Sequence, residues 1–144
     1  MTWSVAAARS LIARCTQLRD DGRTEAVLRA EFQSWLRQVF PDPSDGAWVN
    51  HYSEGSETHT RIGLPAGGIA NRFIDNLIRS TVIEYEADLR QARLRDHGLD
   101  QVREYIAGEV RAGTPISQAR GISSDTVEWH VFDAKLASDL KPAD

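Results

Sequence analysis

The chain has 144 residues, 41% of them hydrophobic, and a mean hydropathy of -0.42, which suits one globular domain with a proper core and excludes a membrane-spanning apolar run. A net charge of -4 excludes a polycation, so any nucleic-acid binding has to use local patches. The single Cys15 excludes an internal disulfide and a multi-thiolate metal site; with no signal-peptide layout at the N-terminus, the expected location is cytoplasmic.

From Thr2 to about Arg19, Val5, Ala8, Leu11, Ile12, Cys15 and Leu18 recur at helical spacing, with Arg9, Arg14 and Arg19 on the other face. This predicts a surface helix whose basic face is either solvated or a nucleic-acid contact. Asp20-Asp21-Gly22 stops it. A second helix is predicted from Thr24 to about Phe40, with Thr24 as N-cap and Glu25 in the first turn, where the helix dipole favours an acid. Its stripe is Leu28, Phe32, Trp35, Leu36 and Val39; Glu25 and Glu31 border that stripe, so either is a solvated acid or points inward towards a site. Pro41-Asp42-Pro43 ends the helix.

The pattern loosens between Asp45 and Leu64. Trp48 to Tyr52 and Thr58 to Ile62 read as a hairpin or as one long irregular strand, and Pro65-Ala66-Gly67-Gly68 as a turn. Neither His51 nor His59 sits in a metal-binding spacing, and no phosphate loop is present.

Phe73 to Leu89 holds the chemistry. Two apolar-rich runs flank Arg79-Ser80, and the second run carries Glu84, Glu86 and Asp88. If Arg79-Ser80 is a two-residue hairpin loop, Ile78 faces Thr81, Leu77 faces Val82, Asn76 faces Ile83 and Asp75 faces Glu84. The absence of Gly and Asn from that loop argues against a primed turn. Like charges opposed across two strands destabilise a sheet, which calls for a cation between them, and a divalent metal is the obvious candidate. Glu86 shares a face with Glu84 because strand side chains alternate. The competing reading makes Glu84, Glu86 and Asp88 the solvent face of an amphipathic strand.

Arg90 to Gly98, with Arg90, Arg93 and Arg95, reads as a loop or short helical turn that either neutralises phosphates or is solvated. A helix is predicted from about Leu99 to Ala112, closed by Gly113, with Gln101 and Tyr105 as neighbours four apart. Ile116 to Phe132 reads as two short strands around Ser123-Ser124-Asp125. A single domain over residues 1–136 is expected, with a polar, linker-like tail over 137–144.

The order of these elements, with the carboxylates on the hairpin, resembles the PD-(D/E)XK phosphodiesterase superfamily, in particular the nuclease-like domains of restriction subunits and DNA-methylase-associated proteins. Asp75 stands in the place of that family's first acid, and Val82-Ile83-Glu84-Tyr85-Glu86 in its "apolar-apolar-Glu-x-Lys" motif. Gln101-Val102-Arg103-Glu104-Tyr105 matches a Gln-x-x-x-Tyr helix motif, and Arg120 to Phe132 is similar to the closing strand pair. Thr24-Glu25 is similar to the acid on the first core helix. An alignment through Ala70-Asn71-Arg72 would instead put Asn71 in the first acid's place. Where most members carry lysine, this chain has Glu86, as a minority of the resembling restriction enzymes do.

The resemblance implies an α/β sandwich of restriction-endonuclease-like build, with a mixed sheet of about four to five strands flanked by helices and an extra N-terminal helix. It implies a metal-dependent DNA nuclease of a restriction-modification or phage-defence system. Asp75, Glu84, Glu86 and the Tyr85 carbonyl would bind Mg²⁺ or Mn²⁺, with Gln101, Tyr105 and Glu25 in support. The alternative is a catalytically degenerate module of the same fold that binds DNA or docks a methylase or other restriction subunit.

Overall fold

The structure, a computed structural model, describes residues 5–39, 56–63 and 69–134. Helices α1 (Val5–Asp20) and α2 (Glu25–Val39) come first, followed by strands β1 (Ser56–Gly63), β2 (Ile69–Ile78) and β3 (Thr81–Tyr85). Helix α3 (Ala92–Arg111) then crosses to β4 (Arg120–Ser124) and β5 (Trp129–Asp133). The five strands form one mixed sheet in chain order: β3 and β4 run parallel and the other neighbouring pairs antiparallel. The parallel pair needs a crossover, and α3 provides it. The expected strand at Trp48 to Tyr52, the turn at Pro65 to Gly68 and the tail 137–144 lie outside the described residues.

Strand β3 is buried on both faces, which explains why it reads as a short apolar run rather than a clean alternation. Ile83 and Tyr85 pack with Phe32, Trp35 and Leu36 of α2. Val82 packs with Ile74 and with Tyr105 and Ile106 of α3. Each such fully buried side chain is worth about 1.5–3 kcal/mol of transfer free energy. Trp129 of β5 extends the α2 side, with its ring 5.1 Å from Phe32 and 6.2 Å from Tyr85.

Three local readings need correction. Helix α3 begins at Ala92, seven residues before the expected start at Leu99, so of the loop and the short helical turn expected around Arg93 and Arg95 the helical alternative holds, as the first turn of a longer helix. Gly98 sits inside it as a point of close approach: a Cβ there would lie 2.5 Å from Ser123 Oγ and 3.0 Å from Glu86 Cγ. Helix α1 buries a narrower stripe than expected, Leu11, Cys15 and Leu18, while Val5 and Ile12 are exposed. Arg19, read as part of a basic face that faces solvent or nucleic acid, is buried, because its Nη1 donates to the fully buried Asp125 at 3.0 Å. Cys15 is core, and burial, the largest influence on it, pushes its thiol up.

The hairpin loop is Arg79-Ser80, with Ile78 opposite Thr81, Leu77 opposite Val82 and Asn76 opposite Ile83. Arg79 has φ of +56°, the left-handed conformation that a primed turn demands at its first loop position. The tight connection between two packed strands imposes it despite the lack of glycine.

Candidate functional site

Within β2, Asp75 alone has no ladder partner: pairing with β3 stops at Asn76, and pairing with β1 passes from Asn76 to Ile74. The expected backbone opposition of Asp75 and Glu84 is therefore replaced by crossed side-chain contacts. The Asp75 N–H donates to Glu84 Oε1 at 3.1 Å, and the Tyr85 N–H donates to Asp75 Oδ2 at 2.9 Å. The second Asp75 oxygen accepts from Arg29 Nη1 of α2 at 2.7 Å. Two carboxylates thus meet where the strands open, each capping the other strand's backbone.

Glu86 follows β3 and continues its pairing, its N–H donating to the Ser124 carbonyl at 2.9 Å. Its side chain is 4% exposed and lies 2.7 Å from His97 Nδ1 of α3. The close approach at Gly98 makes room for it. Glu84 and Glu86 are both buried, so the solvent-face reading of these acids is overturned. Asp88 is separate from them: Arg90 donates to it from N–H, Nε and Nη2, and those bonds hold its carboxyl down at about 2. Arg90 also pairs with Asp20 at 2.9 Å.

Glu25, at the start of α2, belongs electrostatically to the same group. Burial first, then Asp75 and Glu86, push its carboxyl up. Glu31 does not turn into the site; it pairs with Arg14 of α1 at 3.9 Å. Glu84 feels the largest effect. Burial pushes its carboxyl up to about 9, Asp75, Glu25 and Glu86 add to the rise, and the single bond from the Asp75 backbone opposes it.

Beside Glu86 lies an open pocket of about 340 Å³ lined by His97, Asp100, Gln101, Glu104 and Tyr105. His97, Gln101 and Tyr105 are spaced by four along α3 and therefore share one face. Gln101 and Tyr105 line that pocket with His97, which alone of the three is shown in contact with Glu86; Tyr105 is 3% exposed and packs with Ile74 and Val82. Asp100 and Glu104 make the pocket's wall acidic. The Tyr85 ring is in the core on the α2 side, so only its backbone can serve the site.

Two residues of this site, Arg29 and His97, were not singled out from the sequence. Arg29 was legible by helical arithmetic, one turn after Glu25; His97 was not, because the expected helix began at Leu99 and the true start at Ala92 is what puts His97 one turn before Gln101.

The acids near the hairpin offer oxygen donors only, the chemistry that a hard divalent cation such as Mg²⁺ or Mn²⁺ takes. Burial first, and the acidic neighbours after it, favour the protonated form of Glu84; a bound cation would favour its carboxylate. Their present arrangement is closed on protein donors, and among the described residues no three His, Cys, Asp or Glu side chains are grouped to hold a metal ion. The helices and strands define a mixed α/β protein with a buried acidic site. No family model, no curated protein and no solved structure matches the chain. Among the described residues, no helix is long and apolar enough to cross a membrane.

Proposed function

We propose that this chain is a metal-dependent DNA phosphodiesterase with a restriction-endonuclease-like core, acting in a restriction-modification or phage-defence system. One observation carries the reading: Asp75 of β2 and Glu84 of β3 meet where the strands open, and burial together with acidic neighbours pushes Glu84 up to about 9. Buried like charges are costly unless a cation is part of the design. The order helix, three antiparallel strands, helix, parallel strand supports the fold part of the proposal.

Asp75 and Glu84, with the Tyr85 carbonyl and Glu86, would hold Mg²⁺ or Mn²⁺, which supplies polarisation of the phosphate and a more acidic bound water. Glu86, oriented by His97, accepts the proton of the attacking water. The water oxygen bonds to phosphorus, the phosphorus–oxygen ester bond breaks with its electron pair on the sugar oxygen, and that oxygen takes a proton from solvent. Gln101 would contact the DNA strand from α3, with Tyr105, buried against Ile74 and Val82, holding that helix on the sheet, and Glu25 would support the cation from α2.

A specific observation favours the second reading, a degenerate module that binds DNA or a partner subunit. Asp75 and Glu86 are already engaged by Arg29 and His97, and the pocket wall is acidic. Cleavage of plasmid and linear DNA with Mg²⁺ or Mn²⁺, wild type beside Glu84→Gln, separates the two. Cutting by the wild type alone supports the phosphodiesterase. Calorimetric titration with Mn²⁺ that shows no binding in either protein, together with no cutting, removes it.

A further inference from the structure

Strand β4 carries a buried polar group to which the reaction above gives no task. Ser123 is 1% exposed, and among the described residues its Oγ has no hydrogen-bond partner. A buried hydroxyl in that state points to something that completes it, a water or an ion, because an unmade hydrogen bond leaves the cost of desolvation uncompensated.

The surroundings of the hydroxyl narrow the choice. Ser123 stands opposite Glu84 in the parallel β3–β4 pair, and residues in register share a face of the sheet. That face looks towards α3: two residues before Ser123, Gly121 is so close to the helix that a Cβ there would collide with Val102. Glu86, two residues after Glu84, arrives at the same place. The position that a Cβ on Gly98 of α3 would take lies 2.5 Å from Ser123 Oγ and 3.2 Å from Glu86 Oε1. Two carboxylates and one orphan hydroxyl thus meet under a glycine. Glu84 Oε1 accepts from the Asp75 N–H and Glu86 Oε1 is in contact with His97 Nδ1, while no described residue donates to Oε2 of either acid.

Two acids on this face are too few for a hard divalent cation, which takes six or more oxygens, and among the described residues no third His, Cys, Asp or Glu completes such a group. A serine hydroxyl can stand in that place, because its oxygen is a hard, neutral donor of the kind that holds Mg²⁺ beside phosphates. A water would satisfy the hydroxyl but leave two buried acids side by side. A cation answers both needs.

We propose that Ser123 is a cation ligand: its Oγ, together with Glu84 and Glu86, holds a divalent metal ion between β3, β4 and α3. The proposal rests on the cation part of the phosphodiesterase reading and adds to it a ligand from β4. The hydroxyl keeps its proton and coordinates through a lone pair, so no bond is broken and no electron moves. Gly98 has the matching part, since only a residue without a Cβ lets α3 close over these groups.

The test measures Mn²⁺ binding by calorimetry, and thermal melting with and without Mn²⁺, in wild type, Ser123→Ala, Ser123→Cys and Glu84→Gln, with no DNA present. Ser123→Ala removes an unpartnered oxygen, so the metal-free variant should melt at or above the wild type. Its Mn²⁺ affinity should fall at least about 10-fold, the lower end of the cost of losing even an outer-sphere partner. The rise in melting temperature that Mn²⁺ gives the wild type should shrink with it. Ser123→Cys exchanges a hard donor for a soft one, so it should lose Mn²⁺ and gain Cd²⁺. A cadmium–thiolate absorption band in the ultraviolet should then appear that the wild type, whose one cysteine is buried in the core, lacks.

Wild-type Mn²⁺ affinity in Ser123→Ala, with binding lost in Glu84→Gln, would overturn the ligand role of Ser123, assign its hydroxyl to a water and leave the cation at the acids. A metal-free Ser123→Ala protein that melts well below the wild type would show that the hydroxyl is already partnered, which also overturns the proposal. Absence of the cadmium band from folded Ser123→Cys would mean that this position does not touch the ion. No Mn²⁺ binding by the wild type would remove both this proposal and the cation of the phosphodiesterase.

Discussion

Two buried acids in this protein live in opposite surroundings. Asp125, fully buried in the turn between β4 and β5, accepts four hydrogen bonds: Val127 and Glu128 donate their N–H groups to Oδ1, and Leu89 N–H and Arg19 Nη1 donate to Oδ2. It ties α1, the segment after β3 and the β4–β5 turn together. Glu84 is 2% exposed, and the Asp75 N–H donates to its carboxylate, with three acids around it. The first arrangement satisfies a buried charge and stabilises the fold; the second disfavours the charged form and is suited to chemistry. Burial alone does not tell structure from function. The partners do.

The comparison breaks most visibly at Asp125. Asp125→Ala leaves buried Arg19 with only its longer contacts to Glu128 at 3.4 Å and Asp20 at 4.0 Å, and three backbone donors without an acceptor, so chemical denaturation should show a loss of about 3–5 kcal/mol. A loss under about 1 kcal/mol, within the range of exposed pairs, would mean that Asp125 is no keystone.

Glu84 should behave in the opposite sense. Its folded-state carboxyl is pushed up to about 9 from an ordinary 4.5. The folded protein therefore holds a proton that the unfolded chain has lost, and stability is full below about pH 4.5, then falls as pH rises towards about 9. Glu84→Gln mimics the protonated form. It should flatten that decline and gain at least the ~1.4 kcal/mol of one unit at pH 8, measured by urea unfolding across pH. The same variant should abolish DNA cleavage. A pH-independent wild type would show that Glu84 is charged and compensated.

The packing beneath the site can be tested at Gly98. Gly98→Ala puts a methyl 2.5 Å from Ser123 Oγ and 3.0 Å from Glu86 Cγ. The helix must shift, at a cost of about 1–3 kcal/mol, and the histidine resonances of His97 should move by NMR. An unchanged melting curve and spectrum would show that the approach is looser than the structure gives.

The smallest effect belongs to Arg79, whose φ of +56° is strained for a residue with a Cβ. Arg79→Gly should stabilise by about 0.5–1 kcal/mol in thermal unfolding. No gain would show that the Arg79 side chain offsets the strain.

Much of the scaffold was legible in the sequence, and part of the site with it. The 3.6-residue periodicity located α1 and α2, and matching the two arms of the hairpin around Arg79-Ser80 produced the pairing of Asn76 with Ile83 that the structure contains. The same arithmetic singled out Asp75 and Glu84, which meet, and Gln101 and Tyr105, which line one pocket. The α3 start was placed too late, and inside the helix the lack of a Cβ at Gly98 serves close contact with Glu86 and with Ser123 of a strand that comes later in the chain.

What the sequence by itself determined is therefore what depends on neighbours along the chain: helical stripes, strand alternation, a hairpin register, and the excess of acids in one short stretch. Only the tertiary structure decided which charges are compensated. Arg29 and Asp75 lie 46 residues apart and Arg19 and Asp125 106 apart, so no local pattern relates them. A carboxylate's cost of burial depends on the donors and charges within a few ångströms of it, and packing of α1, α2 and α3 against the sheet sets that neighbourhood.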